Sequence, residues 1–141
     1  MLTPCQKIKR EILLSAIKNF KEFDSLNDKE QAFVKAVEPG VTEETVDALY
    51  DALVEADCHW DYESEMRGGE IETKLPSEYS RHYEAKEVAM KCCDGTWVGW
   101  TYWYGGGKHG NPEEIDWMED AYNLEVTETE KLVVVREFKK I

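Results

Sequence analysis

A chain of 141 residues with 42% apolar and 33% charged residues is long enough to bury a core and carries no signature of disorder. Its net charge of −13 argues against direct binding of nucleic acid, which needs clustered lysine and arginine. No run approaches the ~20 apolar residues of a membrane span, and the charge-broken N-terminus lacks a signal-peptide cleavage pattern. A cytoplasmic protein, in a bacterial host, is expected.

Thr3-Pro4 predicts the first helix. Thr3 suits the N-cap, Pro4 the first helical position, and Gln6 completes a capping box. Ile8, Ile12, Ala16 and Phe20 form an i, i+4 row, widened by Leu13 and Ile17. Asn27 with Glu30 predicts a second capping box, and Pro39-Gly40 ends that helix. A third helix is expected from Thr42 to about Asp57. Val46, Leu49, Tyr50, Leu53 and Val54 form its apolar stripe.

Beyond residue 57 the pattern changes. HWDYESEM (59–66) alternates Trp60, Tyr62, Ser64 and Met66 against acids, which predicts a strand, with a turn at 67–70 into EIETKL. Tyr83–Cys93 and TWVGWTYWY (96–104) flank Asp94-Gly95, the signal for a hairpin with a type I′ turn. TWVGWTYWY is apolar on both parities, as expected of a central strand covered on both faces. NPEEIDWMEDAYN (111–123) carries another capping box and predicts a fourth helix, facing inward with Ile115, Met118, Ala121 and Tyr122. The tail LEVTETEKLVVVREFKKI predicts one or two further strands. The expected fold is α+β, a single domain of 1–141. Helices fill about 1–57, and an antiparallel sheet with one further helix fills about 58–141.

Cys5, Cys58, Cys92 and Cys93 show no CxxC spacing and read as reduced thiols. GGGKHG (105–110) satisfies GxGxxG in letters. It fails the phosphate-loop pattern, and Glu113 and Glu114 occupy the helix start where a phosphate would sit. The glycines read as a turn. No metal or cofactor is expected.

The charge is unevenly distributed. Residues 36–72 carry net −11 and residues 113–130 net −8, whereas the tail 131–141 is +3. Asp47, Asp51 and Glu55 recur at i, i+4, i+8, a spacing at which like charges destabilise a helix. They therefore have no local structural reason. If contiguous with 57–65, these carboxylates form a string that imitates a DNA backbone. The expected partner-facing residues are Glu44, Asp47, Asp51, Glu55, Asp57, Asp61, Glu63 and Glu65 in the first block. In the second they are Glu113, Asp116, Glu119 and Asp120, with Trp103 as an aromatic anchor.

The segment WTYWYGGGKHGNPEEIDWMEDAYNLEVTE resembles the C-terminal part of small acidic proteins encoded by phages and prophages. The resemblance covers the last third of the chain and transfers no catalytic residue. It implies a context in which small acidic proteins bind and inhibit host restriction or CRISPR machinery. The expected function is a non-enzymatic inhibitor of a basic, nucleic-acid-binding host protein. Two other readings stand beside it. One is a small His- or metal-dependent hydrolase built on His109 and nearby carboxylates. The other is a homo-oligomer, most simply a homodimer, joined through its aromatics.

Overall fold

The computed structural model describes residues 1–22 and 25–141, apart from the side chain of His109. Four helices precede a four-stranded antiparallel sheet, an α+β arrangement as expected. Both N-terminal capping boxes form. Helix α1 (Pro4–Phe20) is closed by Thr3 and Gln6, and α2 (Asp28–Val37) by Asn27 and Glu30. Each box satisfies two otherwise orphaned backbone donors. α3 (Val46–Glu55) starts later than Thr42, because residues 42–45 form a turn held by the Thr45 hydroxyl.

Residues 59–66 are not a strand. They form most of α4 (Trp60–Arg67). Tyr62 and Met66, one helical turn apart, pack on the core, and Trp60 is left 57% exposed. In a strand, Trp60 would share their face. The helix stops at Gly68-Gly69, where Gly69 adopts φ +67 and a Cβ would lie 2.8 Å from that of Val88. Only glycine meets both demands.

The sheet runs β1 (Ile71–Glu72), β2 (Glu84–Lys91), β3 (Trp97–Tyr104), β4 (Tyr122–Leu124) in spatial as in chain order. The β2–β3 hairpin is present, with Val88 opposite Trp100 and Lys91 opposite Trp97. Its turn is not type I′, since only Gly95 has positive φ (+86). Instead the Gly95 N–H donates to the Cys92 carbonyl at 2.9 Å, and the Asp94 carboxylate accepts from the Thr96 N–H and hydroxyl at 2.9 and 2.6 Å. This is the longer loop in which one left-handed glycine closes an ordinary turn.

The predicted fourth helix does not form. Residues 112–114 make a short 3₁₀ turn and 122–124 enter the sheet as β4. Trp117 and Met118 are adjacent yet both buried, at 6% and 8% exposure. Trp117 lies against Trp100 (centroids 5.0 Å apart), and the Met118 sulfur is 3.7 Å from the Tyr50 hydroxyl. An irregular chain lets neighbours reach these two parts of the core. The predicted tail strands are also absent: past Leu124 the chain has no regular structure.

The inner sheet face packs under α1. Ile8, Ile12, Leu13 and Ala16 meet Val88, Val98 and Trp100 in one core that includes Phe33, Leu53 and Trp117. The Trp100 indole N–H donates to the Arg67 carbonyl at 2.8 Å, which fixes the end of α4 on β3. The outer face carries Glu87, Ala89, Gly99, Thr101, Tyr122 and Leu124, by strand alternation and register. β3 is thus a central strand, and β4 side chains cover part of its outer face. A Cβ on Gly99 would stand 2.7 Å from the Tyr122 ring, so glycine is what lets that ring lie across β3. The Tyr122 hydroxyl reaches Glu87, a carboxylate only 6% exposed. Ser77 and Thr101 hydroxyls also donate to it, at 2.6 and 3.0 Å.

Candidate functional site

The carboxylates of the first acidic block do not form one string. α4 turns them to two sides. Glu63 points towards α3, where it accepts a hydrogen bond from the Tyr50 hydroxyl. Asp61 and Glu65 face the other way, into a cleft of about 520 Å³ that also holds Glu30, Asp57, Cys58 and Tyr62. Burial, then the charges of Glu30, Asp57 and Asp61, push the Cys58 thiol above its ordinary value.

The side facing α3 is where the two blocks meet. Burial raises the pKa of Glu63, and the Asp116 charge adds to the rise. Cys5, at the start of α1, is raised first by burial. Lys9 opposes that rise, while Glu119, Asp116 and Asp47 add to it. Carboxylates from α3 and the irregular segment 115–121 therefore lie near the N-terminal turn of α1, and Glu63 of α4 joins them on the side of Tyr50 and Asp116. The tie that brings the second block here is Tyr50, which touches both Glu63 and Met118.

Within this face the residues differ. Asp47 is already engaged, accepting from Gln6 Nε2 at 2.9 Å and Lys9 Nζ at 3.2 Å. These bonds, Gln6 first, hold its carboxyl below the usual range. Lys9 also lies 5.3 Å over the Tyr50 ring, a cation–π contact that keeps it folded against the surface. Asp51, Asp116, Glu119 and Asp120 are exposed. Glu44 and Glu113 are exposed as well, and Glu55 borders a smaller cleft with Lys29 and Phe33.

Trp103, the expected aromatic anchor, lies on β3. It is half-buried, and its carbonyl accepts from the Arg67 guanidinium. The exposed indole is Trp60, stacked on the buried His59 ring with centroids 4.6 Å apart. Burial lowers the pKa of His59. Reading 59–66 as a strand hid Trp60, although a tryptophan among acids just after a helix end was a visible signal.

The proposed role of His109 rests on a side chain outside the described residues. Its backbone lies in a 3₁₀ turn, Gly107–His109. Among the described residues, no group of three His, Cys, Asp or Glu side chains is placed to hold a metal ion. No described helix is long and apolar enough to cross a membrane.

No family model, curated protein or solved structure matches this chain. The functional reading therefore rests on the chain's own chemistry. That chemistry is an acidic face of carboxylates from three segments, a second acidic cleft behind it, and a single lysine, Lys9, hydrogen-bonded into the face.

Proposed function

We propose that the chain is a non-enzymatic binding protein whose acidic face occupies the basic, nucleic-acid-binding surface of a host protein. The observation that carries the proposal is the meeting of the −11 and −8 blocks at Tyr50, whose hydroxyl touches Glu63 of the first and Met118 of the second. Two stretches about 50 residues apart in sequence each place part of their charge on this side, at a cost to Glu63. Exposed carboxylates on α3 and on the segment 115–121 present negative charges, as duplex phosphates do. A lysine- and arginine-lined groove meets both with the same contacts. A defence protein of restriction or CRISPR type, which grips nucleic acid in a basic groove, is the proposed partner.

The test is competition. Proteins retained from bacterial lysate on the immobilised chain at low salt are eluted and challenged with labelled duplex DNA, with and without the free chain. The wild type should displace the DNA, and displacement should weaken steeply with added salt. Asp51→Lys, Asp116→Lys and Glu119→Lys together should abolish displacement while the circular dichroism melt is retained. Asp47 is excluded from this set because it is bonded to α1. If the triple variant displaces DNA as well as wild type does, the proposal fails.

A further inference from the structure

Residues 131–141, KLVVVREFKKI, are unlike the rest of the chain. They carry net +3 on a body of net −16, which together give the chain's −13. Leu132, Val133, Val134, Val135, Phe138 and Ile141 are 75–117% exposed. Valine and isoleucine are strand formers, yet among the described residues this segment pairs with nothing in its own copy. Six large apolar side chains held in water oppose the main driving force of folding, at about 25 cal/mol per Å².

The same copy offers a complementary receptor. A groove of about 570 Å³ on the outer sheet face is lined by Ile71, Leu75, Ala89, Trp97, Leu124 and Val126, with Glu72, Glu125 and Glu128 at its rim. Apolar walls with acidic edges match an apolar segment with basic residues. β1 and β4 each bond to one neighbour only, so both sheet edges are open to strand addition. Residues 124–128 already form one wall of the groove in their own copy. To occupy that groove the tail must reverse within residues 129–131, whereas entering a second copy requires no reversal.

We propose that the chain is a reciprocal dimer in which the segment Leu132–Phe138 of each copy lies in the outer-face groove of the other. The two contacts are identical and related by a two-fold axis, so the assembly closes at two copies. The acidic face around Tyr50 is on the helical side and takes no part.

The test uses the full-length chain in sedimentation equilibrium. Wild type should sediment at twice the chain mass. Val133→Glu/Val135→Glu, which spoils the tail, should sediment as a monomer, and so should Ile71→Glu, which spoils the groove. All of these positions are solvent-exposed in the single copy, so each variant should remain folded with the wild-type circular dichroism spectrum. Mixing the two variants leaves one intact tail and one intact groove and should restore a heterodimer. A monomeric wild type overturns the proposal. That includes a monomer whose tail is protected from hydrogen exchange on its own groove, and a monomer that instead sediments with phosphatidylserine vesicles. A dimer unaffected by both variants overturns it equally.

Discussion

Replacing Tyr122 by Phe removes one hydroxyl from a buried carboxylate that has no cationic partner among the described residues. Glu87 is held by three hydroxyl donors alone, and two of them, Thr101 at 3.0 Å and Tyr122 at 2.8 Å, share its Oε1. A hydrogen bond to a charged acceptor contributes roughly 1.5–3 kcal/mol, and a buried acceptor left short loses that in full. The phenylalanine ring still covers Gly99, so packing is preserved and the loss is that of the hydroxyl. At about 2–4 °C per kcal/mol for a chain of this size, Tyr122→Phe should lower Tm by roughly 3–12 °C. Thr101→Val should do the same. Because both donors serve one oxygen, the double variant should depart from additivity by at least ~0.5 kcal/mol. Scanning calorimetry on the four proteins of this cycle provides the measurement. A wild-type Tm for Tyr122→Phe, or strict additivity, would show that the hydroxyls do not hold Glu87. A second readout is independent of stability. The Tyr122 phenol is raised by burial, by its bond to Glu87 and by that carboxylate's charge. In Glu87→Gln its ultraviolet titration should move to lower pH.

Other outcomes follow from the geometry. Gly99→Ala drives a methyl into the Tyr122 ring and the Leu124 side chain, and should cost about 1–3 kcal/mol in urea unfolding. Ile12→Ala, at a site with no solvent exposure under the sheet, should cost roughly 2–5 kcal/mol by the same measurement. Asp94, bonded to Thr96 and paired with Arg10 at 3.1 Å, has a depressed folded pKa, as has Asp47. Their stabilisation is complete above the ordinary carboxylate value of about 3.9 and is lost as pH falls below it, so Asp94→Asn should flatten the acid limb of a stability–pH profile. Glu63 has the opposite sign. Its folded pKa is raised, so its contribution is greatest below the ordinary value and declines as pH rises through the folded one. Glu63→Gln should therefore gain stability relative to wild type at neutral pH and not in acid.

Where a signal was local, it was legible. The Thr3/Gln6 and Asn27/Glu30 boxes place the starts of α1 and α2, because each box is completed within four residues. The alternating run before Asp94-Gly95 places β2 and β3. Two segments were decided elsewhere in the chain. Residues 60–67 satisfy a strand alternation and a helical Tyr62/Met66 spacing equally. The helix prevails because Glu63 meets Tyr50 and the Arg67 carbonyl meets Trp100. Residues 111–123 begin with a good cap, yet Trp117 gains more by lying on Trp100 than a helix offers. The acidic positions were readable singly, but their grouping was not. It depends on where the irregular segment 115–121 docks, which is set by Trp117 and Met118. Trp60, the exposed indole, was lost with the misread helix.

Lys7 on α1 donates to Asn123 on β4 at 3.0 Å, across 116 residues. A helix near one end of the sequence is thus covered by a strand made much later. At ordinary synthesis rates the 104 residues from Phe20 to Leu124 take roughly 5–20 s to appear. Until β2 and β3 have been made, the Ile8–Ile12–Ala16 stripe has no sheet to lie on. The α1–β4 contact therefore forms only after residue 123 has been made. A nascent chain stalled before β2 and β3 presents a sticky amphipathic helix to chaperones, and truncation from the C-terminal side is tolerated only as far as β4.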